Sequence, residues 1–214
     1  MKNILIIGGN SSIAKYMLAN ASDNYKFIST SRVKDSAFYL DLTSEESINC
    51  FNLGVNVIDH VIFLAGINPR LNLKLIDAKS FAEMFFVHII GPSLLIKKII
   101  DNLSNNCSVT FISSIAATNG SYDPSYASAK SALYGLIKSL AREFTQIRFN
   151  ILSLGLVNDT TVQKNMTQDF IEKHKNNMFN NSLIELRQVI NALTFIMEND
   201  NLNGTIIPFT NSKN

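Results

Sequence analysis

Three features of the 214-residue sequence predict an α/β protein built on a doubly wound parallel sheet. Apolar runs of strand length recur along the chain, helical apolar periodicities separate them, and the first run ends in a glycine turn that opens a helix. Folds of this kind take their ligands at the carboxyl ends of the strands.

Residues 3–7 are apolar without alternation, as in a strand covered on both faces. Gly8, Gly9, Asn10, Ser11 and Ser12 then make a tight turn, and a helical period follows with Ile13, Met17 and Leu18 on one side. A strand, a small-residue turn and a helix N-terminus together present free N–H groups and a positive dipole end, which suits a phosphate. A plain strand-to-helix turn accounts for the same residues, because the loop is poor in glycine beside Gly-x-Gly-x-x-Gly. Residues 26–30 form the second strand, closing on Ser31 and Arg32. In dinucleotide folds an acid near this point accepts from the ribose 2′-hydroxyl and an arginine receives a 2′-phosphate. With Arg32 and no acid, NADP is favoured over NAD, the alternative being a solvated strand-end arginine.

Residues 37–42 read as a further short strand ending at Asp41 and Leu42, and Ser44 caps a helix with Glu45 and Glu46 in its first turn. Residues 60–66 are the fourth strand, whose terminal Ala65 and Gly66 leave room for a flat group against the backbone. A long helix covers residues 81–100, with Pro92 as a kink. The fifth strand is 108–112, and a helix over 126–144 carries an apolar face of Leu133, Leu136, Ile137, Leu140 and Phe144. Residues 148–153 form another strand. After it, residues 156–181 read as an irregular, mobile wall over the substrate, followed by a helix over 184–197 and a last strand over 204–208. The sum is about seven strands in a single domain, residues 1–214.

The chemistry concentrates at Tyr126 and Lys130, four residues apart and therefore on one helix face. A free phenol has a pKa of about 10, and a cation about 4 Å away is worth roughly 4 kcal/mol at an effective dielectric of about 20. Lys130 is thus expected to lower the Tyr126 pKa and make it a general acid/base. The bulk numbers leave this reading free: 46% hydrophobic and 17% charged residues describe an ordinary globular chain, and a formal charge of +2 without a basic run argues against nucleic acid. Cys50 and Cys107 lack metal-ligand spacing, so no metal is expected, and a reducing, cytoplasmic setting is. The first apolar run stops at Gly8, short of an export signal. Residues 84–100, the most apolar segment, are broken by His88, Gly91, Pro92, Lys97 and Lys98 and fall short of the roughly 20 residues of a membrane span.

In this order the glycine turn, Asp41, Ala65-Gly66, Ile112-Ser113-Ser114, Tyr126-Ala127-Ser128-Ala129-Lys130, Leu140-Ala141-Arg142-Glu143 and Asn150 through Gly155 resemble the short-chain dehydrogenase/reductase family along nearly the whole chain. The resemblance implies a Rossmann-like sheet and hydride transfer between NADP(H) and the carbonyl or alcohol of a small or medium substrate. Tyr126 would protonate the carbonyl oxygen, Ser114 would orient it, and Lys130 would hold the nicotinamide ribose. The cofactor would lie along Gly8, Asn10, Ser11, Ser12, Ile13, Arg32, Asp41, Leu42, Ala65, Gly66, Tyr126, Lys130, Gly155 and Val157. Ser113 competes with Ser114, because it fits the family's commoner spacing to the tyrosine. Among the departures, only Gly8 matches the three cofactor glycines, Ser12 and Ala14 replacing the others, and Leu64-Ala65-Gly66 stands for Asn-Ala-Gly. His88 aligns with the asparagine that holds a relay water, and would carry that water or break the relay. Leu154-Gly155 replaces Pro-Gly. These departures motivate the alternative, an NADP(H)-binding regulator or scaffold without efficient turnover. By resemblance, the helices over 81–100 and 126–144 would build a homodimer or homotetramer.

Overall fold

Six parallel strands form one sheet in the order β2-β1-β3-β4-β5-β6: β1 Lys2–Ile7, β2 Tyr25–Thr30, β3 Ile58–Phe63, β4 Leu103–Ser114, β5 Ile147–Leu154 and β6 Ile206–Phe209. The structure is a computed structural model and describes residues 1–20, 22–33 and 36–212. Helices α1 Ser12–Ala19, α2 Glu45–Cys50, α3 Ala78–Phe85, α4 Gly91–Ile99, α5 Ala116–Asn119, α6 Pro124–Glu143, α7 Thr161–Lys164, α8 Gln168–Asn176 and α9 Leu186–Glu198 complete the chain. This is the doubly wound, Rossmann-like α/β fold. Among the described residues no helix is long and apolar enough to cross a membrane.

The unbroken apolar runs are explained by burial on both sides. Leu5, Ile7, Val61, Phe63, Val109 and Phe111 face one way and pack on α4 and α6 through Leu95, Ile96, Ile99, Leu133 and Ile137. Ile4, Ile6, Ile62 and Leu152 face the other, under α1 and α9 through Ala14, Met17, Val189, Leu193 and Ile196. Alternation along each strand assigns its residues to the two layers.

Two expectations need correction. The strand over 37–42 is a turn in which Tyr39 makes a single bridge to Ser31, flanked by Ser31 N–H to Phe38 O at 3.0 Å and Leu40 N–H to Ser31 O at 2.9 Å. It lies beyond the last residue of the edge strand β2, where no ladder remains to extend, so the sheet has six strands. The wall over 156–181 is more regular than its polarity suggests, since it holds α7 and α8, capped by the hydroxyls of Thr160 and Thr167.

The layer under α9 is partly polar. His60, Ser108 and Arg148 are register partners across β3, β4 and β5, and all three are buried. The Arg148 guanidinium donates to Asn106 Oδ1 at 2.8 Å and to the carbonyls of Ile196, Met197 and Asn199 at 3.1, 2.8 and 2.9 Å, so it closes the C-terminus of α9 from within. Beside it Glu198 accepts from the Tyr25 hydroxyl at 2.6 Å and pairs with Lys2 at 3.2 Å.

Candidate active site

The carboxyl ends of β1, β2, β3 and β4 open into a cleft of about 760 Å³. At its floor Gly8 has φ +97°, and a Cβ there would meet the Ala65 backbone N at 2.5 Å, so this turn admits only glycine. Ser11 caps α1, its hydroxyl accepting from Ala14 N–H at 3.1 Å. The helix supplies no partner for the N–H groups of Ser12 and Ile13, and both residues line the cleft. Asn10 donates to the Ser31 hydroxyl at 2.8 Å, which sets the wall that Arg32 extends. Across from it lie Leu40, Asp41, Leu42, Ala65 and Gly66. The Asp41 carboxylate is used locally, accepting from the Thr43 N–H at 2.9 Å and hydroxyl at 2.8 Å. Two unpaired N–H donors at a helix start, an exposed arginine and an apolar slot fit the phosphates and adenine of a dinucleotide.

Tyr126 stands in the first turn of α6, which Asp123 and Pro124 initiate. Buried Asp123 organises this corner. Its Oδ1 accepts from the N–H groups of Ser125 and Tyr126 at 3.0 and 3.1 Å, and its Oδ2 from Leu71 N–H at 3.0 Å, so the loop after β3 is tied to the tyrosine helix. The motif reading missed Asp123, although Asp-Pro ahead of an apolar period is a helix-start signature. Strand alternation separates the two serines. Ser113 points under the helix and donates to Lys130 O at 3.1 Å, whereas Ser114 lies on the opposite face of β4, near enough to the Tyr126 hydroxyl to pull its pKa down. Lys130 is buried, with Nζ donating to Ile112 O at 2.8 Å and lying 5.8 Å from the centre of the Tyr126 ring.

The electrostatics depart from the expected lowering of the tyrosine. Burial raises the Tyr126 pKa, with the nearby Ser114 hydroxyl pulling the other way, and Lys130 is itself held at about 7 by burial. An amine that loses its charge so readily cannot be the strong fixed cation assumed for it. Near neutral pH Lys130 exchanges a proton easily, which is a different service to the site.

Between α3 and α4 the helix widens into one π turn, Phe86–Ile90, just ahead of Pro92. Proline carries no N–H, and the wider turn accommodates that loss. His88 sits in this turn, buried, edge-on to Tyr126 at 6.0 Å between ring centres, with Nε2 3.1 Å from Ile67 O. A carbonyl only accepts, so Nε2 carries the hydrogen and Nδ1 holds the lone pair. Burial, then the Lys130 charge, push the His88 pKa down to about 3, and burial takes His60 down to about 4. Both fall below the ordinary value, so the fold holds both rings neutral. Stability is therefore fully present above pH 6.5 and is lost as pH falls toward 4, on the order of 3 kcal/mol for His60 alone. Urea titrations at pH 7 and pH 5 should show a lower midpoint at pH 5, and His60→Gln should shrink the difference. An equal difference in the variant would remove His60 as its source.

Of the expected cofactor residues, Gly8, Asn10, Ser11, Ser12, Ile13, Arg32, Asp41, Leu42, Ala65, Gly66, Tyr126 and Lys130 line this one cleft, as does His88. Gly155 and Val157 do not. The Gly155 N–H is spent on Phe209 O at 3.0 Å, and Val157 is buried in a bridge to Ile184. Thr160, Thr161 and Val162 take their place on the wall. Among the described residues no cluster of His, Cys, Asp and Glu is arranged to hold a metal.

Comparison with known proteins agrees with the fold. A family model described as enoyl-(acyl carrier protein) reductase matches residues 12–208. A short-chain dehydrogenase/reductase, ATR9 of Stachybotrys chlorohalonatus, is 29% identical over 161 residues, 70% of this chain and 61% of that protein's length. The solved structure of a small-chain dehydrogenase in complex with NADPH is 22% identical, with TM-score 0.87 over 99% of this chain and 97% of that one. A 3-ketoacyl-(acyl-carrier-protein) reductase from Brucella melitensis complexed with NADH is 17% identical, with TM-score 0.81 over 97% and 96%. At these identities the two solved structures speak for the shared fold.

Proposed function

The chain belongs to the short-chain dehydrogenase/reductase family, and from that premise we propose that it is an NADP(H)-dependent oxidoreductase acting on the carbonyl or alcohol of a small or medium substrate. The observation that carries the reading is convergence: Tyr126 and Lys130 share a cleft with the open N-terminus of α1 and with Arg32, and Ser114 stands behind the tyrosine. A bound nicotinamide dinucleotide supplies the hydride. The chain's own residues hold the substrate oxygen and its proton. In reduction the Tyr126 hydroxyl donates to the carbonyl oxygen as charge develops there, and Ser114 donates a hydrogen bond that fixes the oxygen beside it. Burial keeps the phenol protonated until that moment. Lys130, 5.8 Å from the centre of the Tyr126 ring and near its own midpoint at neutral pH, would return the proton toward the tyrosine.

Arg32 supports NADP over NAD because it is exposed at the cleft wall, and among the described residues at the end of β2 there is no acid to compete for the ribose. Charge-assisted bonds to a phosphate are worth about 1.5–3 kcal/mol, so Arg32→Ala should weaken NADPH about 10- to 100-fold and leave NADH nearly unchanged. Fluorescence titration with the two nucleotides checks this. An equal loss for both would take Arg32 out of the discrimination.

One observation favours the second reading, a cofactor-binding regulator: the His88 ring is already engaged by Ile67 O and does not offer its N–H to the cleft. Tight NADPH binding without turnover on a broad carbonyl and alcohol panel would select that reading. The family resemblance also points to a homodimer or homotetramer, and Phe81, Phe86 and Ile90 leave apolar surface exposed on α3 and the π turn. Light scattering on the purified protein tests it, a monomer being the contrary result.

A further inference from the structure

A bond between residues 149 positions apart crosses the mouth of the cleft. Thr161 N–H donates to Ser12 Oγ at 3.1 Å, and the two hydroxyl oxygens lie 3.4 Å apart. Ser12 is the first residue of α1, beside the open N–H groups described above, and Thr161 is the first residue of α7. Both line the cleft. The far end of the segment that carries Thr161 is held to the tail after β6, where Phe179 N–H donates to Asn211 O at 2.6 Å and Met178 bridges Ser212, and its base is pinned where Asn158 N–H donates to Ile184 O at 2.8 Å and Ile184 N–H to Leu156 O at 3.2 Å. Just inside that anchor Asp159 and Asn181 take left-handed φ of +56° and +52°. From there the segment reaches across the cleft, tied by Thr161 to Ser12 and by the Arg70 guanidinium donating to Asn165 O at 3.2 Å.

We propose that the Ser12–Thr161 pair is a clasp that holds the segment carrying α7 and α8 over the bound dinucleotide and sets how fast it leaves, an inference that rests on the dinucleotide reading of the cleft. Glycine at position 12 would offer no side chain to the segment. Serine gives the phosphate-side helix a hydroxyl that reaches the opposite wall, so release requires this bond to open first.

The test uses two variants and their combination. Ser12→Ala removes the acceptor. Thr161→Pro removes the donor at a first helical position, where proline's fixed φ suits the helix, and Thr160 at φ −86°, ψ 154° already has the extended conformation that a following proline requires. Stopped-flow release of NADPH should be faster by about 2- to 10-fold in each variant, the worth of one net hydrogen bond. The double variant should be no faster than the faster single one, since both remove the same bond. In the free protein, amide hydrogen exchange over residues 158–176 should rise in both variants. NADPH binding with unchanged release rates, fully additive rates or unchanged exchange would overturn the clasp and leave the dinucleotide reading standing. Failure of the unmodified protein to bind NADPH or NADH would overturn that reading and the clasp with it.

Discussion

Tyr126→Phe is expected to abolish carbonyl reduction while NADPH still binds. The substitution removes one hydroxyl and keeps the ring that packs edge-on against His88. The proton donor is lost and the wall of the cleft is not. General acid catalysis is worth about 10²- to 10⁴-fold, so turnover should fall by that factor on any substrate the protein reduces. Steady-state rates across a carbonyl panel, with NADPH titrated by fluorescence in parallel, separate chemistry from binding. Unchanged turnover would remove Tyr126 from the reaction. A parallel loss of NADPH affinity would mean that the phenol serves the cofactor.

The largest expected effect on stability lies away from the cleft, at Arg148. Methionine there fills much of the same volume but donates nothing, so the carbonyls of Ile196 and Met197 are left without the donor that closes the end of α9. Asp200, 3.7 Å away, loses its cation but keeps the Asn106 amide at 2.7 Å, and as an exposed carboxylate it contributes little. The expected cost is about 3–5 kcal/mol, which for a chain of this length lowers the unfolding midpoint by roughly 10 °C. Calorimetry measures it directly. Arg148→Lys should recover only a fraction, because one ammonium cannot reach the several acceptors that the planar fork spans. A midpoint within 2 °C or so of the parent would show that the helix end closes without this guanidinium.

The parallel sheet was legible in the sequence because its strands are buried on both faces and read as unbroken apolar runs. Within residues 3–7, Ile4 to Ile7 are such a run, whereas residues 108–112 alternate small hydroxyls with Val109 and Phe111 and read as a strand from their β-branched composition; the structure lengthens that strand to Leu103–Ser114. The tyrosine helix was legible from its five apolar positions, and Leu133 and Ile137 are indeed buried in the core. What escaped were features decided by the third dimension. Residues 37–42 have a strand's composition, but they pair only through the single bridge from Tyr39 to Ser31, past the end of β2. His60 sits in a run that reads as uniformly apolar, yet it opens a buried polar row with Ser108 and Arg148 that no local periodicity announces. The charge state of Lys130 was misjudged for the same reason: spacing placed it beside Tyr126, whereas burial set its pKa. Gly155 and Val157 follow from position in a motif, whereas the Gly155 N–H is bonded to β6 and Val157 is held in a bridge whose bonds to Ile184 come from Leu156 and Asn158 on either side of it.

The π turn at Phe86–Ile90 absorbs one residue without turning the helix faces that flank it. A turn of this width spends one residue more than an α turn on nearly the same rotation, so deleting a residue there would let the coil close into a regular helix with Met84 still in its layer. The loss would fall on the widened backbone that carries His88 to Ile67. A single-codon deletion within α3 or α4 would instead rotate one half of the element against the other by about 100°.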